Sequence, residues 1–232
     1  MMDVISQLRG GLVVSTQAAK ESPLHNPVVI AALAYSAEAA GCVGHRVNGA
    51  EHVRAVRAVC RRPIIGINKV QVPGYEVYIG PTFESAREVA EAGADLIAID
   101  GTQRPRPEGV TLRALIERIH RELGLPVMAD CSNVEEGQQA AADGADLVAS
   151  TMAGYTSYTA HLRTSGPDVQ MIRDLVATVK VPVVGEGRFH HPEDVAAGFA
   201  AGAWYIVVGT AITSPGWITE QFVKATPGAA AK

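Results

Sequence analysis

The chain has 232 residues, of which 47% are hydrophobic and 19% charged, with a formal net charge of −4. That is enough apolar material for one large core, without the basic footprint of a nucleic-acid binder or the composition of a long disordered tail, so a small-molecule partner is expected. The opening MMDVISQLRGG has neither a basic n-region nor a long apolar run, and no stretch of about 18 apolar residues could span a bilayer, which points to a cytoplasmic protein with no membrane partner.

Taken along the chain, LVVST (12–16) is the first apolar run with strand character, and a helical pattern follows over roughly 26–40. The segment EAAGCVGHR (38–46) then introduces a unit that returns more clearly as EAGADLIAID (91–100), ADGADLVAST (142–151) and AAGAWYIVVGT (200–210). Each copy is an alanine-rich helix end, a glycine suited to a left-handed stop, and a short apolar run that fits a strand covered on both faces. Between these copies lie PIIGIN (63–68), PVMAD (126–130) and PVVGEG (182–187), which completes eight strands. Further helical patterns occupy roughly 50–60, 84–92, 111–123, 133–143, 168–179, 192–201 and 215–225. Ser132 with Glu135 reads as a capping box, and Pro192 and Pro215 sit in first turns.

Strand alternating with helix eight times predicts an α/β protein with a (β/α)8 TIM barrel as one domain over 1–225, and 226–232 as a frayed tail. An open doubly wound sheet shares the local pattern, but no G-x-G-x-x-G follows the first strand. Cys42, Cys60 and Cys131 are odd in number and widely spaced, so they are read as reduced thiols; neither they nor the histidines have the spacing of a metal site.

Active sites of such barrels lie at the carboxyl ends of the strands, and several of these runs end in charge. Arg46 ends the second, Lys69 follows the third, and Asp100, Asp130 and Glu186 end the fourth, fifth and seventh; Gln17 and Arg188 lie just beyond the first and seventh. Strand parity puts Ile65, Ile67 and Lys69 on one face, as it does Met128 with Asp130 and Val184 with Glu186, so an apolar layer is topped by groups that perturb one another's pKa values. Any of them could instead pair on the rim, and Arg46 could be a structural partner of Asp100 or Glu186. His190 and His191 read as capping or solvent residues before Pro192. The loops EGR (186–188) and VGTAITSP (208–215) have the glycines and hydroxyls of a barrel phosphate site.

The segments GGLVVSTQA, GHRVNG, IIGINK, VYIGPT, IAIDGTQRPRP, MADCSNVEEG, GYTSYT, GPD, VVGEGRFHHPED and VVGTAIT, in this order over roughly 10–223, resemble the N-acetylmannosamine-6-phosphate 2-epimerase family. The resemblance implies a (β/α)8 barrel of sialic-acid catabolism that inverts C2 of N-acetylmannosamine 6-phosphate to give N-acetylglucosamine 6-phosphate, with no redox cofactor. It implies acid/base exchange by Lys69 and Glu186 and sugar contacts from Gln17, Arg46 and Asp130. Phosphate is expected at Gly187, Arg188, Gly209 and Thr210, and a homodimer is compatible with the barrel surface. The chain departs from the family pattern in having Thr210 for a second glycine, Ser214 for an arginine that helps hold phosphate, and NKVQVPGYE after the third strand. Two other readings remain compatible with the residues: a Schiff-base aldolase or synthase with Lys69 as nucleophile, and a barrel that binds a sugar phosphate without turnover.

Overall fold

The computed structural model describes residues 3–163 and 166–227. Eight parallel strands close into a barrel in sequence order: β1 (Leu12–Thr16), β2 (Gly44–Asn48), β3 (Ile64–Ile67), β4 (Leu96–Asp100), β5 (Val127–Asp130), β6 (Leu147–Ala149), β7 (Val183–Glu186) and β8 (Tyr205–Val208). The (β/α)8 reading of the sequence is therefore correct. The helices that follow the strands are α2 (Pro27–Ala39), α3 (Ala50–Val59), α4 (Phe83–Glu91), α5 (Leu112–Leu123), α6 (Val134–Ala142), α7 (Val169–Thr178) and α8 (Pro192–Ala200), while α10 (Pro215–Lys224) follows β8 after a single turn, α9 (Thr210–Thr213). The expected tail falls at the end of this range, and 228–232 lie outside the described residues.

The repeated glycine does what its position suggested. Gly41, Gly93, Gly144 and Gly202 have φ of 100°, 106°, 101° and 100°, a region that residues with a Cβ rarely enter, and each turns the chain from a helix toward the next strand. Side chains alternate from there. Val13, Ile65, Ile67, Leu96, Ala98, Met128, Val184 and Val207 belong to the cluster that fills the barrel, whereas Val47, Ile64, Ile97, Ile99, Val127 and Ile206 pack outward under the helices.

Two local readings are corrected. The cap of α6 is Asn133, whose Oδ1 accepts the Glu136 N–H at 2.8 Å, rather than Ser132 with Glu135. Ser132 is occupied elsewhere: its N–H and hydroxyl donate to Glu136 Oε2 at 2.8 and 2.7 Å. The sequence reading also omitted α1 (Val4–Leu8), which Asp3 caps by accepting from Ser6 and which is too short to show a period. It closes the amino-terminal end of the barrel, with Leu8 in the inner core, Ile5 O accepting from Trp204 Nε1 at 3.0 Å, and Arg9 stacked 4.4 Å from that ring.

The three cysteines are buried and free. Glu38, His45 and Cys60, unremarkable by spacing, have their ligand-type atoms within 4.8 Å of one another. Glu38 already accepts the Arg61 and Arg62 N–H groups at 3.0 and 3.1 Å and lies 3.1 Å from His45 Nε2, so the cluster ties α2 to the α3–β3 turn. His45 and Arg46 thus point to opposite sides of β2, one to the helices and one to the barrel mouth.

Candidate active site

A cavity of about 240 Å³ opens at the carboxyl ends of the strands. Its walls include Gln17, Arg46, Lys69, Glu186, Gly187, Arg188, Gly209 and Thr210, so eight of the nine residues expected to act on the proton, the sugar or the phosphate converge there. Asp130 does not reach the wall. It lies fully buried behind Arg46 and Thr151.

Arg46 is almost wholly buried, and its fork grips Asp130: Nη1 to Oδ1 at 3.1 Å and Nη2 to Oδ2 at 2.6 Å. The same Nη1 is 3.0 Å from Glu186 Oε2. Thr151 Oγ1 stands between the carboxylates, 2.7 Å from Asp130 and 3.1 Å from Glu186. One guanidinium and one hydroxyl thereby hold two carboxylates together, an arrangement tolerated in a buried site only when every charge is partnered. Arg46 Nε and Gln17 Oε1 are buried with no partner among the described residues, one donor and one acceptor left unsatisfied on residues of the cavity wall. Asp100 has a different role. Thr102 donates to it twice, Arg104 Nη2 reaches it at 2.7 Å, and Arg46 does not pair with it.

Burial pushes the Glu186 carboxyl up to about 7, with the Asp130 charge adding to the rise, while Arg46 and Lys69 oppose it. Lys69 is shifted the other way: crowding by protein atoms, helped by the Arg46 charge, lowers its pKa below the ordinary lysine value. The side chain remains accessible through the mouth, so its desolvation is completed only when a ligand fills the cavity. Lys69 follows β3 and Glu186 ends β7; four strands apart in a closed ring of eight, they face each other across the mouth. Glu186 is raised and Lys69 lowered on opposite walls of one cavity, which suits proton transfer on both faces of one carbon.

The β7 loop is strained. Gly187 has φ 102° and Arg188, which has a Cβ, has φ 59°. Arg188 is held there by its side chain, which donates to Gly166 O at 2.9 Å and to Ala153 O. His190 lines the cavity and stacks 4.6 Å from Trp217, whereas the backbone N–H groups of His190 and His191 both donate to Asp194 at 3.0 Å. The expected capping role thus belongs to this helix start, with Asp194 as acceptor. Sequence reasoning missed Thr151, Tyr78 and Tyr155; Thr151 had a signal, being the residue that ends the apolar run of ADGADLVAST.

A profile of the N-acetylmannosamine-6-phosphate epimerase family matches residues 30–227. A protein of Thermosynechococcus vestitus named N-acetylmannosamine-6-phosphate 2-epimerase is 46% identical over 224 residues, covering 97% of this chain and 96% of its own. This chain belongs to that family. A namesake from Caldanaerobacter subterraneus is 43% identical over 96% of this chain and 93% of its own. The solved N-acetylmannosamine-6-phosphate 2-epimerase of Clostridium perfringens superposes with a TM-score of 0.93 at 35% identity, over 97% of each chain. A thiamine phosphate pyrophosphorylase of Pyrococcus furiosus, at 16% identity and TM-score 0.62 over 94% of this chain and 93% of its own, shares the fold alone.

Proposed function

We propose that this protein inverts C2 of N-acetylmannosamine 6-phosphate to give N-acetylglucosamine 6-phosphate, acting in the cytoplasm in sialic-acid catabolism. The observation that carries the reading is the pair Lys69 and Glu186, facing each other across one cavity with pKa values displaced toward each other. The C2 hydrogen of the sugar becomes acidic only while C1 is a carbonyl, so the open-chain aldehyde is the reacting form. With Glu186 as carboxylate and Lys69 as ammonium, the carboxylate takes the C2 proton on one face. The electron pair moves onto O1 as an enolate, and Lys69 returns a proton to C2 on the opposite face as the carbonyl re-forms. The reverse reaction starts from carboxylic acid and free amine, the same number of protons differently placed. No oxidant, reductant or cofactor enters the balance.

Arg46 Nε and Gln17 Oε1, the two unpartnered buried atoms on residues that line the cavity, supply a donor and an acceptor to the hydroxyl and acetamido groups. Asp130 serves the sugar through the orientation of Arg46 and Thr151 rather than by direct contact. Gly187, Arg188, Gly209 and Thr210 face the phosphate end. The partner is this small molecule, not a nucleic acid or a membrane; among the described residues no helix is long and apolar enough to cross a bilayer.

The test is a proton NMR time course of N-acetylmannosamine 6-phosphate with the protein in D2O. Product signals are expected to grow with deuterium at C2. A mixture unchanged in both respects overturns the reading. Borohydride is expected to leave Lys69 unmodified; trapping of substrate on that residue would replace epimerisation by imine chemistry.

A further inference from the structure

The loops after β7 and β8 bring one cation, Arg188, to the phosphate end of the cavity, and residues 209–214 add none. The substrate cavity is also small for an amino sugar that carries a phosphate, since ligand sites commonly measure about 300–1,000 Å³. A second cavity, about 400 Å³, adjoins it and shares Tyr155, Arg188, His190 and Thr210 as a common wall. Arg163, from the loop between β6 and α7, lines only the second.

Arg163 is placed for a ligand rather than for the protein. Its guanidinium lies 5.8 Å from the Tyr155 ring, against which Arg188 lies at 6.0 Å, so both cations approach one aromatic side chain at the junction of the cavities. Among the described residues no carboxylate reaches Arg163, and the one hydrogen bond of its side chain is a long one, Nε to Gly154 O at 3.4 Å. Asp194 is the carboxylate of this cavity, and it is engaged by the two backbone N–H groups of 190 and 191. Two planar guanidinium groups near one engaged carboxylate favour a dianion with several acceptor oxygens.

We propose that Arg163 is the second cation of a phosphate-monoester subsite at the junction of the two cavities, opposite Arg188, and that it determines the preference for a phosphorylated sugar. The inference rests on the epimerase reading for the identity of the sugar, but not for the affinity toward phosphate.

The experiment compares the protein with its Arg163→Ala, Arg163→Lys and Arg173→Ala variants. It measures kcat/KM for N-acetylmannosamine 6-phosphate and for N-acetylmannosamine, and inorganic phosphate binding by calorimetry. Losing one charge-assisted contact predicts that Arg163→Ala lowers the ratio of the two kcat/KM values about 10- to 100-fold, chiefly through KM, and weakens phosphate by a similar factor. Arg163→Lys should recover part of both effects. Arg173→Ala, a charge removed from the exposed face of α7, should leave the ratio as in the parent protein. An unchanged ratio in Arg163→Ala, or an equal fall for both sugars, overturns the proposal, the second result meaning that Arg163 merely holds its loop. If the parent protein turns over neither sugar, the epimerase reading fails by itself, and the phosphate affinities of parent and Arg163→Ala still decide the subsite.

Discussion

At the scale of single residues, the proposed function rests on two displaced titrations. General acid–base catalysis contributes about 100- to 10,000-fold, so Lys69→Ala and Glu186→Gln should each lower kcat by at least about 100-fold with the circular-dichroism spectrum retained. Turnover near the parent level in either variant removes that residue from proton transfer. The pH profile of kcat/KM should be bell-shaped, rising through about 7 as Glu186 ionises and falling below the ordinary lysine range as Lys69 loses its proton. Glu186 also has a stability cost with a definite sign. Its folded value of about 7 exceeds its ordinary 4.5, so between these values the folded chain holds more proton than the unfolded one, and stability from this group falls as pH rises. The cost is absent below about 4.5 and complete above about 7. Glu186→Gln should therefore be more stable than the parent at pH 8 and equal to it near pH 4, as urea midpoints would report. A variant less stable at pH 8 would show that the bond to Arg46 outweighs desolvation. Charge at strand ends was enough to place both residues at the barrel mouth, because parity fixes which side chains rise above the barrel core. The engagement of Arg46 with Asp130 was not legible, since a guanidinium that ends a strand can pair with any neighbouring carboxylate.

At the scale of elements, the tops of β5, β6 and β7 act as a unit. Ser150, just beyond β6, donates to Glu186 O at 3.0 Å and accepts from Glu186 N–H at 3.2 Å, and Thr151 beside it bridges the two carboxylates. The carboxylate thus points at the cavity because two backbone contacts and one hydroxyl hold the end of its strand. Thr151→Val keeps the volume and removes the bridge; the expected cost is about 1–3 kcal/mol of stability, the range for buried acceptors that lose a donor. Loss of that hydrogen bond to the ionised form also raises the Glu186 pKa further, so the acid limb of the kcat/KM profile should move to higher pH. An acid limb that stays in place would mean that Thr151 does not touch the ionised carboxylate. The boundaries of the eight barrel helices were readable to within a residue or two from glycine stops and proline starts. Among the α-helices, those that escaped have a length that carries no period: α1, with five residues, and α9, with four. The α6 cap escaped by one position, because Ser132 and Asn133 are both competent caps and only the demand of Glu136 for the serine decides between them.

At the scale of the whole molecule, barrel closure turns sequence distance into opposition, bringing Lys69 and Glu186 to facing walls, and that relation could be read only after eight strands had been counted. The outer surface was less legible, because helices that are amphipathic toward a barrel can still differ in what covers their other side. Helix α10 is the exception among those that follow the strands. It has no buried residue, whereas α5, in the corresponding place after β4, buries Leu112, Leu115, Ile116 and Ile119. Phe222 and Val223 on α10 are 73% and 52% exposed, and Ile212 on α9 beside it is also exposed. An apolar helix face left in water at the edge of a closed barrel is costly, and a symmetric contact with a second copy would bury the same residues twice. The expected state is thus a homodimer, in which Phe222→Glu places a charge against the apolar face of both subunits. Sedimentation velocity should give about twice the chain mass for the parent protein at micromolar concentration and a shift toward monomer for Phe222→Glu. Because no residue of α10 lines the substrate cavity, the variant should keep its kcat while losing thermal stability, which would become dependent on protein concentration. A parent protein that sediments as a monomer at the same concentration would overturn the assignment and leave α10 an exposed apolar helix.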